Sequence, residues 1–183
     1  MVRGLLERAS VKARPFKLVV AAALATLAWS ALAAARTGPK LALDGEAAFA
    51  IQPDRVGSGA GAALRLGYEL DATILSLTPE IGGSFHALGG ELAPSLYRGF
   101  GGARLALGAV VRPGLYAHAG YAHVAYGPGS RSAPTYDGGL FLDLTVLPVI
   151  DIGIHGGYAM IASGDEGAAI HWLSAGAHVA IVF

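Results

Sequence analysis

The sequence predicts an all-β fold: an eight-stranded antiparallel up-and-down transmembrane β-barrel, preceded by a signal-peptide helix. Three observations carry this expectation. First, the C-terminal segment alternates with period two. Leu173, Ala175, Ala177, Val179, Ile181 and Phe183 share one phase, and the smaller, more polar Trp172, Ser174, Gly176, His178, Ala180 and Val182 share the other. Period two marks a strand with one apolar face, and a closing aromatic suits a membrane interface. Second, the N-terminus has the layout of an export signal. Third, the connections between amphipathic segments alternate between long and short.

Residues 1–35 read as a signal peptide. Arg3, Arg8, Lys12, Arg14 and Lys17 stand against the single acid Glu7, and an uncharged Ala- and Leu-rich run follows from Leu18 to Leu32. Ala31-Leu32-Ala33 and Ala33-Ala34-Ala35 both offer small residues where a signal peptidase reads. The apolar run is short for a membrane-spanning helix, which needs about 20 residues. Cleavage near Ala33 or Ala35 leaves residues 36–183 as one outer-membrane barrel domain.

Eight strands are expected in that domain, at Leu41–Gln52, Gly61–Leu70, Ile74–Leu88, Leu96–Gly108, Leu115–Tyr126, Gly138–Leu147, Asp151–Ala162 and His171–Phe183. Each is near the length at which a tilted strand crosses a bilayer. Pro53–Ala60, Gly89–Ser95, Gly127–Asp137 and Ser163–Ile170 are the longer connections, rich in Gly, Pro, Ser and charge. Asp71–Thr73, Ala109–Gly114 and Pro148–Ile150 are the shorter ones. Short turns on one side and longer loops on the other are a barrel pattern, and their order puts both chain ends on the periplasmic side. Pro79 is the awkward residue, because it cannot donate to a ladder. Either the third strand starts near Glu80 or Pro79 sits at a bulge. Gly82-Gly83 and Gly101-Gly102 suggest bends.

Composition agrees. The chain has 27 glycines in 183 residues, no cysteine, a formal net charge of zero and 54% hydrophobic residues. Without cysteine there is no disulfide framework, thiolate metal site or Cys nucleophile. Without a basic patch, nucleic acid is not an expected partner. High hydrophobicity without a span-length apolar run beyond the signal region fits lipid contact spread over alternate residues of many strands.

These features resemble the small eight-stranded outer-membrane β-barrels, the OmpA-like transmembrane domain and its OmpX-type relatives. The resemblance covers nearly all of the mature chain. It rests on the signal peptide, the eight strands, the loop alternation, the segment Leu77-Thr78-Pro79-Glu80-Ile81-Gly82 and the ending Val179-Ala180-Ile181-Val182-Phe183. It implies a monomer in outer-membrane lipid, with Phe183 as the terminal element read by the outer-membrane assembly machinery. The chain stops at that residue, so no peptidoglycan-binding domain is expected. Aromatics for the interface girdles are few: Phe49, Tyr68, Phe85, Tyr97, Tyr121, Tyr158 and Phe183.

An eight-stranded barrel is only wide enough inside for side chains. The expected inward polar set is Asp44, Glu46, Arg65, Glu69, Glu80, Arg98, Arg104, His118, Asp143, His155 and His178. Acids and bases are mixed there, as burial of charge requires. The leading expectation is a structural ion-pair core, with no catalytic residue and no cofactor, in a protein with a structural or loop-mediated surface role. His118, His155 and His178, each near the periplasmic end of its strand, could instead converge on a metal such as Zn²⁺, or be hydrogen-bonded by Asp143 or Tyr116. Ser84, His86 and Glu80 share one face and suggest a lipid-modifying enzyme. Strand neighbours two apart, however, lie about 7 Å from each other, too far for direct proton transfer. His123 and His171 read as loop-proximal or interface residues. A soluble secreted or periplasmic barrel that binds a small apolar ligand is the non-membrane rival; it needs the apolar face turned inward.

Overall fold

A computed structural model describes residues 36–72, 74–127, 129–163 and 168–183. The expected signal peptide lies outside the described residues. The chain forms eight strands in order: β1 Gly38–Gln52, β2 Gly59–Ala72, β3 Leu75–Leu88, β4 Ser95–Leu107, β5 Val111–Tyr126, β6 Gly129–Leu147, β7 Ile150–Ile161 and β8 Ile170–Val182. Each pairs antiparallel with its neighbours in sequence, and β1 pairs with β8 to close the barrel.

The apolar phase points outward, which decides the direction that alternation alone leaves open. Leu140, Ile81 and Ile154 are 70%, 64% and 61% exposed. A soluble barrel wrapped around an apolar ligand requires the reverse. The outward aromatics gather toward two levels. Phe49, Phe85, Tyr97, Tyr121, Tyr136 and Tyr158 are exposed in the upper half, at the end of the β1–β2 connection, and Tyr68 and Phe183 are exposed toward the lower end. The Phe85 and Tyr97 rings pair on the outer surface with centroids 5.1 Å apart.

The longest departure from expectation is β6. It begins at Gly129, so most of the expected loop Gly127–Asp137 is strand, and Tyr126↔Gly129 closes a tight hairpin. The reason is alternation hidden behind polar composition: Arg131, Ala133 and Thr135 are buried, while Ser132, Pro134 and Tyr136 are exposed. Pro134 is tolerated because its carbonyl, and therefore its missing N–H, faces the β7 side, where the ladder has already ended at Thr135↔Ile161.

Neither expectation for Pro79 holds. Strand β3 runs straight through it, paired as Pro79↔Ala103 with β4. On the β2 side the ladder lapses between Gly67↔Glu80 and Leu70↔Leu77 and resumes in the same register, so no residue is bulged out. Two missing rungs are the local cost of a residue without an N–H.

Candidate functional site: the barrel interior

The inward phase of the strands builds three zones. At the lower end, Asp151 is the hub. Arg36 donates to its two oxygens at 2.7 and 2.9 Å, and Lys40 reaches it at 3.1 Å. Lys40 also donates to Glu69 at 2.7 Å, and Arg112 sits 2.7 Å from the other Glu69 oxygen and 3.6 Å from Asp151. Thr145 donates to Asp151 at 2.9 Å, and Ser76 accepts from Arg112. Glu69 and Asp151 are fully buried, so nearby cations are their main compensation for lost hydration.

The middle zone turns around Arg65. Its guanidinium holds Asp44 bidentately at 2.7 and 2.8 Å and Glu80 at 3.0 and 3.1 Å. His118 spans Glu80 and Asp137, with its ring nitrogens 2.8 and 3.0 Å from their oxygens, and Asp137 also pairs with Arg98. Arg104 lies 3.6 Å from Asp143 and stacks over the Phe141 ring at 3.8 Å. Glu46 meets His86 at 2.6 Å. His155 and His178 lie side by side near Asp44.

The upper zone is apolar. Trp172, Leu96, Val124, Ala122, Ala133, Ile161 and Ile170 pack into one cluster, with Val56 reaching in from the β1–β2 connection. That connection is tied to the one between β3 and β4 by Gly57 N–H to Gly89 C=O at 2.7 Å and Leu92 N–H to Arg55 C=O at 3.2 Å. Arg98 bridges the zones, its guanidinium 5.6 Å from the Trp172 ring.

All of Asp44, Glu46, Arg65, Glu69, Glu80, Arg98, Arg104, His118, Asp143, His155 and His178 therefore have their charged or ring atoms in the interior. The inward set drawn from the sequence omits Arg36, Lys40, His86, Arg112, Asp137 and Asp151. Lys40, Arg112, Asp137 and Asp151 stand at or just beyond the expected strand ends, and extending each strand in phase brings them inside. His86 shares its phase with Glu80 and Ser84, so alternation marked it as well.

His118 does not join His155 and His178, because both its nitrogens are spent on carboxylates; Asp44 takes the third place beside the pair. Ser84 and His86 point into the interior, 9% and 0% exposed, away from the apolar outer surface. Ser84 Oγ makes no hydrogen bond among the described residues. A Ser–His–Glu arrangement acting on lipid is therefore not assembled. His123 is exposed at the upper end beside Ser132, and His171 meets Tyr158 on the outer surface.

A closed eight-stranded barrel with an apolar exterior and a charged interior has the fold of the small outer-membrane β-barrels. Comparison with solved structures agrees. The chain superposes on Neisserial surface protein A with a TM-score of 0.61 at 18% identity, over 80% of this chain and 97% of that one. The N-terminal barrel domain of Pseudomonas aeruginosa OprF (TM-score 0.46, 15% identity, 80% of this chain and 99% of that one) and Ail of Yersinia pestis (TM-score 0.46, 15% identity, 79% and 99%) also match. No family model and no curated protein matches the sequence.

Proposed function

We propose that the protein is a non-enzymatic outer-membrane β-barrel with a structural or surface-interaction role and a plugged lumen. The observation that carries this reading is the outward apolar belt, edged by aromatics, around an interior filled by paired charges below and apolar side chains above. Lipid is its solvent on the outside; ion pairs and packing occupy the space where a channel would run. Residues 1–35 act as a cleaved export signal, and Phe183 is the terminal element read by the outer-membrane assembly machinery. The barrel works as a monomer, and the Pro53–Ser58 and Gly89–Pro94 connections face the cell exterior.

The test follows the full-length chain in a Gram-negative host. The expected result is an outer-membrane protein whose N-terminus starts near Ala34 or Arg36. Its mobility on SDS gels should change on boiling, and the purified barrel should leave planar-bilayer conductance near baseline. A soluble periplasmic product with no mobility shift would overturn the membrane reading. A steady conductance would overturn the plugged lumen.

A further inference from the structure

We infer that Asp44, His155 and His178 form a binding site for a divalent transition-metal ion, with Zn²⁺ the natural occupant for two imidazoles and a carboxylate. His155 Nδ1 and His178 Nδ1 are 3.4 Å apart, and each is 3.8 Å from Asp44 Oδ1. The centre of a triangle with these sides lies about 2.1 Å from each corner, the length of a zinc–nitrogen or zinc–oxygen bond. All three side chains are at least nine-tenths buried. Asp44 Oδ1 also accepts from Arg65 at 2.7 Å, which leaves the second lone pair of that oxygen for an ion.

The remote nitrogens are arranged as metal-bound imidazoles require. His178 Nε2 faces Asp143 Oδ1 at 3.0 Å, off the line of a good hydrogen bond, and His155 Nε2 faces Glu46 Oε2 at 3.6 Å. A carboxylate at the far nitrogen favours the N–H there and aims the Nδ1 lone pair inward, the usual outer partner of a metal-bound histidine. His118 offers the contrast, since neither of its nitrogens is left over.

Register produces the triangle. His178 on β8 lies directly opposite Asp44 on β1 and opposite Gly153 on β7, while His155 on β7 lies opposite Gly176. A Cβ on Gly153 would meet Asp143 Oδ1 at 2.3 Å and His178 Nε2 at 2.7 Å; one on Gly176 would meet His155 Nε2 at 2.8 Å. Each histidine thus faces a residue that makes room for its ring and its carboxylate. An adjoining cavity of about 40 Å³, whose lining includes Asp44, Glu46 and His155 together with Arg65, Arg98 and Arg104, has room for a coordinating water, which needs about 10–15 Å³.

In this zone, among the described residues, the carboxylates Asp44, Glu46, Glu80, Asp137 and Asp143 are faced by Arg65, Arg98 and Arg104 and by the imidazoles of His86, His118, His155 and His178. A bound divalent cation would add to these counter-charges. It would also tie β7 and β8 to β1 at the seam where the barrel closes. The site requires the closed barrel alone and is indifferent to whether the lumen conducts.

The test uses the complete barrel refolded in detergent with and without Zn²⁺, its closure checked by heat-dependent gel mobility, then dialysed and assayed for metal. A parallel sample is loaded with Co²⁺. The expected result is one ion per folded chain, Co²⁺ visible bands of a four-coordinate site and a higher urea midpoint with metal. His178→Ala should abolish binding. Gly153→Ala pushes only on side-chain tips, so it should fold and bind at least tenfold more weakly; Asp143→Asn should weaken binding by 10–100-fold. His123→Ala with His171→Ala, both on the outer surface, should leave binding unchanged. A folded wild-type barrel that retains no metal would overturn the site, as would binding that survives His178→Ala or vanishes with the two surface histidines.

Discussion

The two ends of the barrel interior fill the same kind of space by different physics. Below, Asp151 and Glu69 are enclosed by Arg36, Lys40 and Arg112. Above, Trp172, Leu96, Val124 and Ile161 pack as an apolar cluster, with Arg98 at the edge of Trp172. Charge pairs are directional and leave a stranded ion when one member goes. Apolar packing is set by volume and shape and leaves a cavity when a side chain shrinks. The lower end should therefore be sensitive to charge at constant shape, and the upper end to shape at constant polarity.

That difference can be broken in order of expected size, with unfolding from lipid vesicles followed through Trp172. Asp151→Asn keeps the shape and removes the hub charge beneath three cations. It should cost about 3–5 kcal/mol, and an equilibrium urea titration showing under half of that would mean the cations find other partners. Leu96→Ala in the upper cluster should cost about 2–5 kcal/mol through its cavity; no change in midpoint would show that the upper zone is not a packed core. On the outer surface, Leu142→Arg near mid-belt should cost about 2–4 kcal/mol. If it folds into vesicles as well as the parent, the belt does not face lipid. The smallest effect should come from Leu96→Met, under about 1.5 kcal/mol, because volume is conserved. A Leu96→Met cost matching that of Asp151→Asn would erase the distinction between the two ends.

Much of the fold was legible because alternation is a local property. The period-two runs located every strand, and the separation of Leu140, Leu142 and Leu144 from Phe141, Asp143 and Thr145 marked the two faces of β6. Legibility failed where local signals conflict with long-range pairing. Ser130 to Tyr136 looks like a loop by composition, yet it pairs with β5 for its full length. Pro79 looks like a break, but its paired β4 side carries the strand through. Lys40 and Asp151 fell at the ends of expected strands and Arg112 in an expected turn, where alternation is weak.

The candidate site divides in the same way. That His118, His155 and His178 belong to the polar phase of their strands follows from residue parity alone. Which of them meet does not, because barrel tilt and stagger decide the level at which each inward residue sits. His178 opposite Asp44 and His155 opposite Gly176 are facts of register across the β1–β8 and β7–β8 ladders, and β1 and β8 lie at opposite ends of the chain. The alternation in the sequence by itself determined which residues share each face of a strand, since a strand turns each successive side chain to the opposite side. Only the closed tertiary structure decided which inward charges touch, because those contacts are set by pairing between distant strands.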